Sequence, residues 1–211
     1  MNVENLLKQG LVDYLEVDTL QRKIHQEVLE GTRKSTLIVS QFNNVYTAGS
    51  KTKEEHLCGL DNYVKVDRGG SITWHGQGQL VIYPVVKLKN PSDVILYIRT
   101  VEKAVLAAIR EEYGLNVETI EGKAGVWLRN PDRKICAIGL KVANGVTLHG
   151  LALNVNPNLD HFSRVVPCGL YDCGVSSLES EGICDSLDNC AEILLRYLSE
   201  HLEAILDHAS K

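Results

Sequence analysis

The sequence lacks the features of a membrane-embedded, exported or disulfide-stapled protein. Its longest uninterrupted apolar run, 104–109, is far shorter than the roughly 20 residues that a bilayer span requires. The first residues show no basic cluster followed by an apolar stretch, so we predict no signal peptide. Six cysteines are present without a C-x-x-C pair, and without export they are expected to be reduced thiols. We therefore predict a cytoplasmic protein that does not bind a membrane.

Positive charge is also scarce relative to negative charge. The net charge of −5 over 211 residues argues against a generic nucleic-acid binder, so no nucleic-acid partner is predicted. A chain of this length predicts one domain, residues 1–211.

Periodic apolar residues predict mixed strands with helices at the edges, which is the α+β class. Helices are predicted over 12–30, 93–113 and 186–207. Strands are predicted over 36–39, 64–66, 79–88, 126–128, 134–143 and 146–155, with a glycine-rich loop over 68–78. Asn144-Gly145 lies between two apolar strands, and this dipeptide is the strongest short-range hairpin signal.

The glycine-rich loop contains four glycines in eleven residues, which lets the backbone approach a ligand closely. No Gly-Lys-Ser/Thr follows, so the loop is not a P-loop, and it lacks the strand and helix context of a dinucleotide site. A plain connecting loop is the ordinary interpretation. Arg68 and His75 flank the glycines and favour ligand binding.

Cys168 is the candidate nucleophile. Pro167 fixes the backbone before it and Gly169 leaves space after it, which suits an exposed thiol. The other five cysteines are interpreted as small apolar residues. A metal site of Cys168, Cys173, His149 and His161 fits no standard zinc spacing, so no metal is predicted.

Lys134 is the candidate base, because strand alternation places it on a face with Cys136 and Ile138. The alternative is a strand-end lysine whose ammonium extends to solvent. His149 has the equally open alternative of a structural histidine. The residues by themselves thus give a thiol, a base and a loop, without selecting a substrate.

Taken together, these segments resemble the lipoyl(octanoyl)transferases. The matching segments are Arg68-Gly69-Gly70, Thr73-Trp74-His75-Gly76, Gly78-Gln79-Leu80-Val81, Tyr83, Gly125-Val126-Trp127, Lys134-Ile135, Ala137-Ile138-Gly139, His149-Gly150, Ala152-Leu153-Asn154-Val155 and Pro167-Cys168-Gly169. Their order and spacing run from about residue 63 to 178. The chain departs from the family at Gln77, where proline is usual, and over 41–47, where His-Pro-Pro normally precedes Val-Tyr-Thr.

The resemblance implies a fold like the catalytic domain of biotin and lipoate protein ligases, with mixed or antiparallel sheets flanked by helices. It implies that Cys168 is the acyl-thioester nucleophile and Lys134 its acid–base partner. The implied substrate-binding residues are Arg68, Gly69, Gly70, Ser71, Ile72, Thr73, Trp74, His75, Ala137, Ile138, Gly139, His149, Gly150, Leu151 and Ala152. No cofactor or metal is implied.

The implied reaction moves an octanoyl group from acyl carrier protein to Cys168 and then to a lysine. The implied acceptors are lipoyl domains of 2-oxoacid dehydrogenase complexes and the glycine cleavage H protein. Amide formation from a thioester is downhill and needs no ATP, in keeping with the missing P-loop. Two alternatives stay open: an ATP-dependent lipoate or biotin ligase, and a non-catalytic protein that binds acyl carrier or lipoyl domains. Pro167-Cys168-Gly169 counts against a ligase, which needs no reactive cysteine, and the presence of both Cys168 and Lys134 counts against a non-catalytic protein.

Overall fold

The fold consists of two β-sheets and four helices, seen in a computed structural model that describes residues 1–166, 169 and 173–207. The strands are β1 (Asn2–Asn5), β2 (Thr36–Ser40), β3 (Val45–Ala48), β4 (Val64–Lys65), β5 (Ile72–His75), β6 (Gln79–Val85), β7 (Glu118–Ile120), β8 (Lys123–Leu128), β9 (Arg133–Ala143), β10 (Val146–Asn154) and β11 (Gly174–Val175). The helices are α1 (Tyr14–Leu29), α2 (Glu54–Leu57), α3 (Val94–Tyr113) and α4 (Leu187–Glu203). Pro167 and Cys168 lie outside the described residues.

The large sheet has the strand order β1-β2-β6-β10-β9-β8-β7, and β11 pairs with β9. Its pairings are antiparallel except for β1 with β2 and β11 with β9. The small sheet has the order β4-β3-β5, with β3 parallel to β4 and antiparallel to β5. The α+β class with mixed sheets, predicted from the sequence, is therefore confirmed.

The helices cover the large sheet from both faces. On one face, α3 and α4 pack together over residues such as Ile82 and Leu151. On the other face, α1 packs through Ile24 and its neighbours against Val81 and other residues of β6 and β10. The amphipathic stripes that predicted these helices are the surfaces that they bury.

Local signals set where the helices and the main hairpin begin and end. The Asp13 side chain accepts the N–H groups of Leu15 and Glu16 at the start of α1, and α3 ends at Gly114 with φ +67°. Asn144 and Gly145 both have positive φ, +52° and +82°, as a tight turn between antiparallel strands requires. The predicted hairpin of β9 and β10 is thus confirmed.

The prediction of one continuous loop over 68–78 was wrong. The segment Ile72–His75 forms β5, which pairs with β3 from Ala48 to Val45. A four-residue strand inside a glycine-rich run gives a weak local signal, and its pairing partner lies some 25 positions earlier in the chain. Strand β6 also ends at Val85 rather than Leu88.

Candidate active site

A cavity of about 410 Å³ lies between the small sheet and strands β9 and β10 of the large sheet. Many of the predicted site residues line it: Arg68, Gly69, Gly70, Ser71, Thr73, His75, Lys134, Ala137, Ile138, Gly139, Gly150, Leu151 and Ala152. The strand register explains this, because Gly139 pairs with Gly150 and Ala137 with Ala152. Small residues directly opposite one another leave open space above the sheet.

Arg68 organises the wall of this cavity instead of reaching across it. One guanidinium nitrogen donates to the carbonyl oxygens of Gly69 and Ser71 at 3.0 and 2.9 Å. The other donates to the carbonyl and hydroxyl oxygens of Thr47 at 2.7 and 2.9 Å. A Cβ atom at Gly139 would lie 3.2 Å from Arg68 Cδ. The buried arginine thus fixes the loop that closes over β9.

Lys134 is buried, with 7% of its surface exposed. Its Nζ lies 4.5 Å from the centre of the Trp127 ring, within the range of a cation–π contact. Its Cε would be 3.3 Å from a Cβ atom at Gly125, so glycine at that position leaves room for the lysine stem. The strand-end lysine extending to solvent, which the sequence left open, is not what the structure contains.

A buried carboxylate, that of Glu102, supports the packing of Gly125 against Lys134. Glu102 of α3 is fully buried and accepts the backbone N–H of Gly125 at 3.0 Å. Its other oxygen lies 2.6 Å from Arg99. Glu102 therefore fixes the strand segment that packs against Lys134. This contact could not be predicted from the sequence, because the amphipathic pattern of a helix does not show which backbone group a buried acid binds.

His56 contacts Val166 and Gly169, the described residues that precede and follow Cys168. The Val166 N–H donates to the His56 carbonyl at 2.9 Å, and a Cβ atom at Gly169 would lie 2.8 Å from His56 Cε1. His56 Nδ1 accepts the Lys53 N–H at 3.2 Å and lies 2.7 Å from Ser71 Oγ. Soon after Gly169, Val175 of β11 pairs with Lys134. The chain is therefore anchored by His56 at Val166 and Gly169 and by the Lys134 strand at Val175.

Ile72, Trp74 and His149 lie outside the described lining of the cavity. Alternation along β5 directs Thr73 and His75 toward the cavity, while Trp74 stacks on His161 with 4.6 Å between ring centres. His149 is buried behind the wall, with Nε2 2.7 Å from Asp67 Oδ1. A direct contact of these three residues with substrate stays a prediction.

Besides the predicted substrate-binding residues, the cavity is lined by Lys51, Tyr83, Val94, Ile98, Gly122, Lys123, Ala124 and Leu140. Tyr83 belongs to the matched motif, and Val94 and Ile98 lie on the apolar stripe of α3, so these three carried a usable signal. Lys51 and the segment 122–124 come from loops and a strand end whose position depends on distant pairings.

Burial makes two of the described thiols, Cys136 and Cys190, poor nucleophiles. It raises the pKa of Cys136 to about 12 and that of Cys190 to about 11. Cys173 differs, because its sulfur lies 3.2 Å from Lys123 Nζ at the edge of the cavity. A nucleophilic cysteine acts as its thiolate, so neither Cys136 nor Cys190 suits that role.

The described residues contain neither a cluster of metal ligands nor a membrane-spanning helix. Within residues 1–166, 169 and 173–207, no three His, Cys, Asp or Glu side chains cluster as metal ligands would. None of the helices in the described chain combines the length and apolarity needed to cross a bilayer.

Comparisons with known proteins agree with one another. A family model for the lipoyl protein ligase A/B catalytic domain matches residues 13–199. An octanoyltransferase from Arthrobacter sp. (strain FB24) is 41% identical over 207 residues, covering 95% of this chain and 92% of the relative. One from Leifsonia xyli subsp. xyli (strain CTCB07) is 46% identical over 172 residues, covering 79% and 76%.

Solved structures show the same fold at low sequence identity. A bipartite lipoate protein ligase from Thermoplasma acidophilum superposes with a TM-score of 0.70 at 19% identity, over 96% of this chain and 84% of that one. A biotin protein ligase from Aquifex aeolicus gives 0.58 at 14% identity, over 97% and 70%. The fold is therefore that of the lipoate and biotin protein ligases. Within that class, the chain belongs to the lipoyl protein ligase A/B family as one of its octanoyltransferases, enzymes that transfer acyl groups.

Proposed function

We propose that the protein transfers an octanoyl group from acyl carrier protein to a lipoyl-domain lysine through a thioester on Cys168. The observation that carries the proposal is the burial of Lys134 in the wall of a 410 Å³ cavity, on a strand paired with the segment that follows Cys168. A lysine ammonium in so shielded a place would favour a nearby thiolate. Residues 1–211 would act as one catalytic domain.

The first half-reaction forms the acyl-enzyme. The Cys168 thiolate attacks the thioester carbonyl of the donor, and the bond to the donor sulfur breaks. Lys134 gives a proton to the departing thiolate, so the carrier leaves as a thiol and Lys134 is left neutral.

The second half-reaction forms the amide. The neutral amine of the acceptor lysine attacks the Cys168 thioester, and the bond to the Cys168 sulfur breaks. The proton lost by the amine goes to Lys134, which restores the thiolate and the ammonium of the starting enzyme. Both steps balance without ATP, metal or cofactor.

The acyl carrier donor and the lipoyl-domain acceptors would dock in turn at the mouth of the cavity. Acyl carrier proteins are acidic, so local basic groups matter more than the net charge of −5. Lys51 lines the cavity and is exposed, whereas Arg129 and Arg133 are held by Asp132 and Glu181. Lys51 is therefore the best-placed docking cation. The acceptors would be lipoyl domains of 2-oxoacid dehydrogenase complexes and the glycine cleavage H protein.

The reducing cytoplasm is the compartment that suits this chemistry. The mechanism requires a free thiol, and thiols stay reduced there. The five cysteines within the described residues are all free.

A transfer assay without ATP tests the proposal against a ligase. The purified protein would be mixed with octanoyl-acyl carrier protein and a lipoyl domain, and the octanoylated lysine followed by intact mass. We expect ATP-independent transfer with ping-pong kinetics, because both carriers use one thiol in turn. Transfer only from free octanoate with ATP would indicate a ligase, and no transfer with tight lipoyl-domain binding would indicate a binding protein.

A further inference from the structure

A chain of three buried side chains, which ends at a backbone carbonyl, fixes the position of the proton on His75. The Ser176 carbonyl can only accept, so Asn154 presents its Nδ2 to it at 2.9 Å. Asn154 Oδ1 then accepts from Gln79 Nε2, also at 2.9 Å. Gln79 Oε1 is left facing His75 Nδ1 at 2.6 Å, and it must accept from that nitrogen. His75 therefore carries its proton on Nδ1.

The same chain leaves His75 Nε2 as a bare acceptor. Burial, together with the charge of Arg68, lowers the pKa of His75 to about 4, so the ring is neutral near pH 7. Tyr14 stacks on the ring at 6.2 Å and Phe42 meets it edge-on at 5.8 Å, which fixes its plane. Among the residues that the structure describes, no donor lies within hydrogen-bond distance of Nε2. The side chain is only 6% exposed and lines the cavity.

His75 and Lys134 both line the cavity, on its β6 side and its β9 side respectively. His75 is bonded to Gln79, the first residue of β6, while Lys134 lies on β9 opposite Trp127 of β8. Strand β10 separates β6 from β9, so the two strands are about 10 Å apart. An acyl chain that starts at a thiol beside Lys134 and extends sideways across β9 and β10 would therefore reach the β6 side of the cavity, where His75 is bonded to Gln79.

We propose that His75 Nε2 is a hydrogen-bond acceptor at the far end of the acyl cavity, and that the cavity takes a medium-chain acyl group ending in a hydroxyl in preference to an apolar chain of equal length. This inference rests on the proposed octanoyl transfer. An apolar chain end packed against this nitrogen leaves a buried acceptor unpaired, which is costly. A terminal hydroxyl supplies the missing donor.

Three thioester donors of matched size test the inference on the unaltered enzyme: 8-hydroxyoctanoyl, 8-fluorooctanoyl and nonanoyl. They differ only in whether the last heavy group is a hydroxyl, a fluorine or a methyl. We expect kcat/KM for transfer to a lipoyl domain to be about tenfold higher for the hydroxyl than for the other two, the factor expected for one unpaired buried acceptor. A hydroxyacyl rate equal to or below the nonanoyl rate would overturn the inference.

A variant assigns the preference to His75. His75→Phe keeps a planar ring between Tyr14 and Phe42 but has no acceptor nitrogen, so it should abolish the preference for 8-hydroxyoctanoyl. A preference that persists in a folded His75→Phe protein would overturn the inference. Octanoyl transfer by the unaltered enzyme serves as the reference throughout. Its absence would refute the proposed function itself, an outcome distinct from a missing hydroxyl preference.

Discussion

The imidazole ring of His56 packs directly on Gly169, so closely that a Cβ atom on Gly169 would lie 2.8 Å from ring atom Cε1. The carbonyl of the same histidine accepts the N–H of Val166 at 2.9 Å. One residue of the short helix α2 therefore contacts the chain on both sides of Pro167 and Cys168. It also ties that segment to the cavity wall through Ser71.

His56 should position the nucleophile segment, and substitution should lower kcat more than it raises KM. We expect His56→Leu to reduce kcat about tenfold, because the Lys53 N–H and Ser71 hydroxyl lose their shared acceptor. His56→Asn should recover most of the activity by offering an oxygen near the former Nδ1. The control is His25→Leu, whose ring bonds the Ala143 carbonyl elsewhere in the fold. Equal kcat losses in the His56→Leu and His25→Leu variants would make His56 merely structural.

Gly125→Ala should displace Lys134 and inactivate the enzyme. The added Cβ would lie 2.6 Å from the Cys136 carbonyl oxygen and 3.3 Å from Lys134 Cε, at a φ of +126°. Gly31→Ala is the matched control, because Gly31 has a φ of +77° with nothing within 4 Å. It should show only backbone strain, about 1 kcal/mol of unfolding free energy. Urea unfolding and the transfer rate would be measured for both, and a fully active Gly125→Ala protein would contradict the packing argument.

Lys134→Met should make Cys168 less reactive as a thiolate. Removing a buried ammonium raises the pKa of a nearby thiol, so iodoacetamide alkylation of Cys168 near pH 7 should slow roughly tenfold. Its midpoint should move to higher pH. Lys141→Met is the control, because Lys141 lies on the same strand but its Nζ is 2.8 Å from Asp67 Oδ2. An unchanged alkylation profile with full transfer activity would leave Lys134 without a catalytic role.

Asp67 should make the fold sensitive to acid. Burial by itself would raise its pKa, but hydrogen bonds from Arg22, Lys141 and His149 hold the pKa well below its usual range. A carboxyl with a lowered pKa stabilises the fold at neutral pH, and this stabilisation is lost as pH falls from about 5 toward 2. Asp67→Asn should therefore be less stable than the unaltered protein at neutral pH, with a smaller further loss in acid. Chemical unfolding at both pH values checks this. A pH dependence as steep as that of an Asp61→Asn control, an exposed loop carboxylate, would contradict it.

Local signals account for the parts of the fold that the sequence predicted. The three long helices follow their apolar stripes, and the β9–β10 turn follows Asn144-Gly145. Strand β5 was missed because Ile72–His75 is defined by pairing with β3, and very short strands such as β11 carry no periodicity of their own.

The same distinction between local signals and distant contacts applies to the candidate active site. The matched motifs indicated most of the cavity lining, Lys134 included, while the catalytic roles of Cys168 and Lys134 stay predictions. They did not reveal that Glu102 holds Gly125 or that His56 packs on Gly169. Both contacts join residues far apart in sequence. No sequence pattern around Glu102 or His56 predicts which residue each one contacts. The role of His75 as an acceptor likewise follows only from the hydrogen-bond chain that ends at Ser176.

The thioester on Cys168 is the central claim, and mass spectrometry tests it most directly. The protein would be incubated with octanoyl-acyl carrier protein alone, and its intact mass and peptide masses measured before and after hydroxylamine. We expect one octanoyl group on Cys168 that hydroxylamine removes and that a lipoyl domain discharges, with Cys168→Ala neither labelled nor active. An octanoyl group on Cys173 instead, or transfer by Cys168→Ala at the normal rate, would contradict the account.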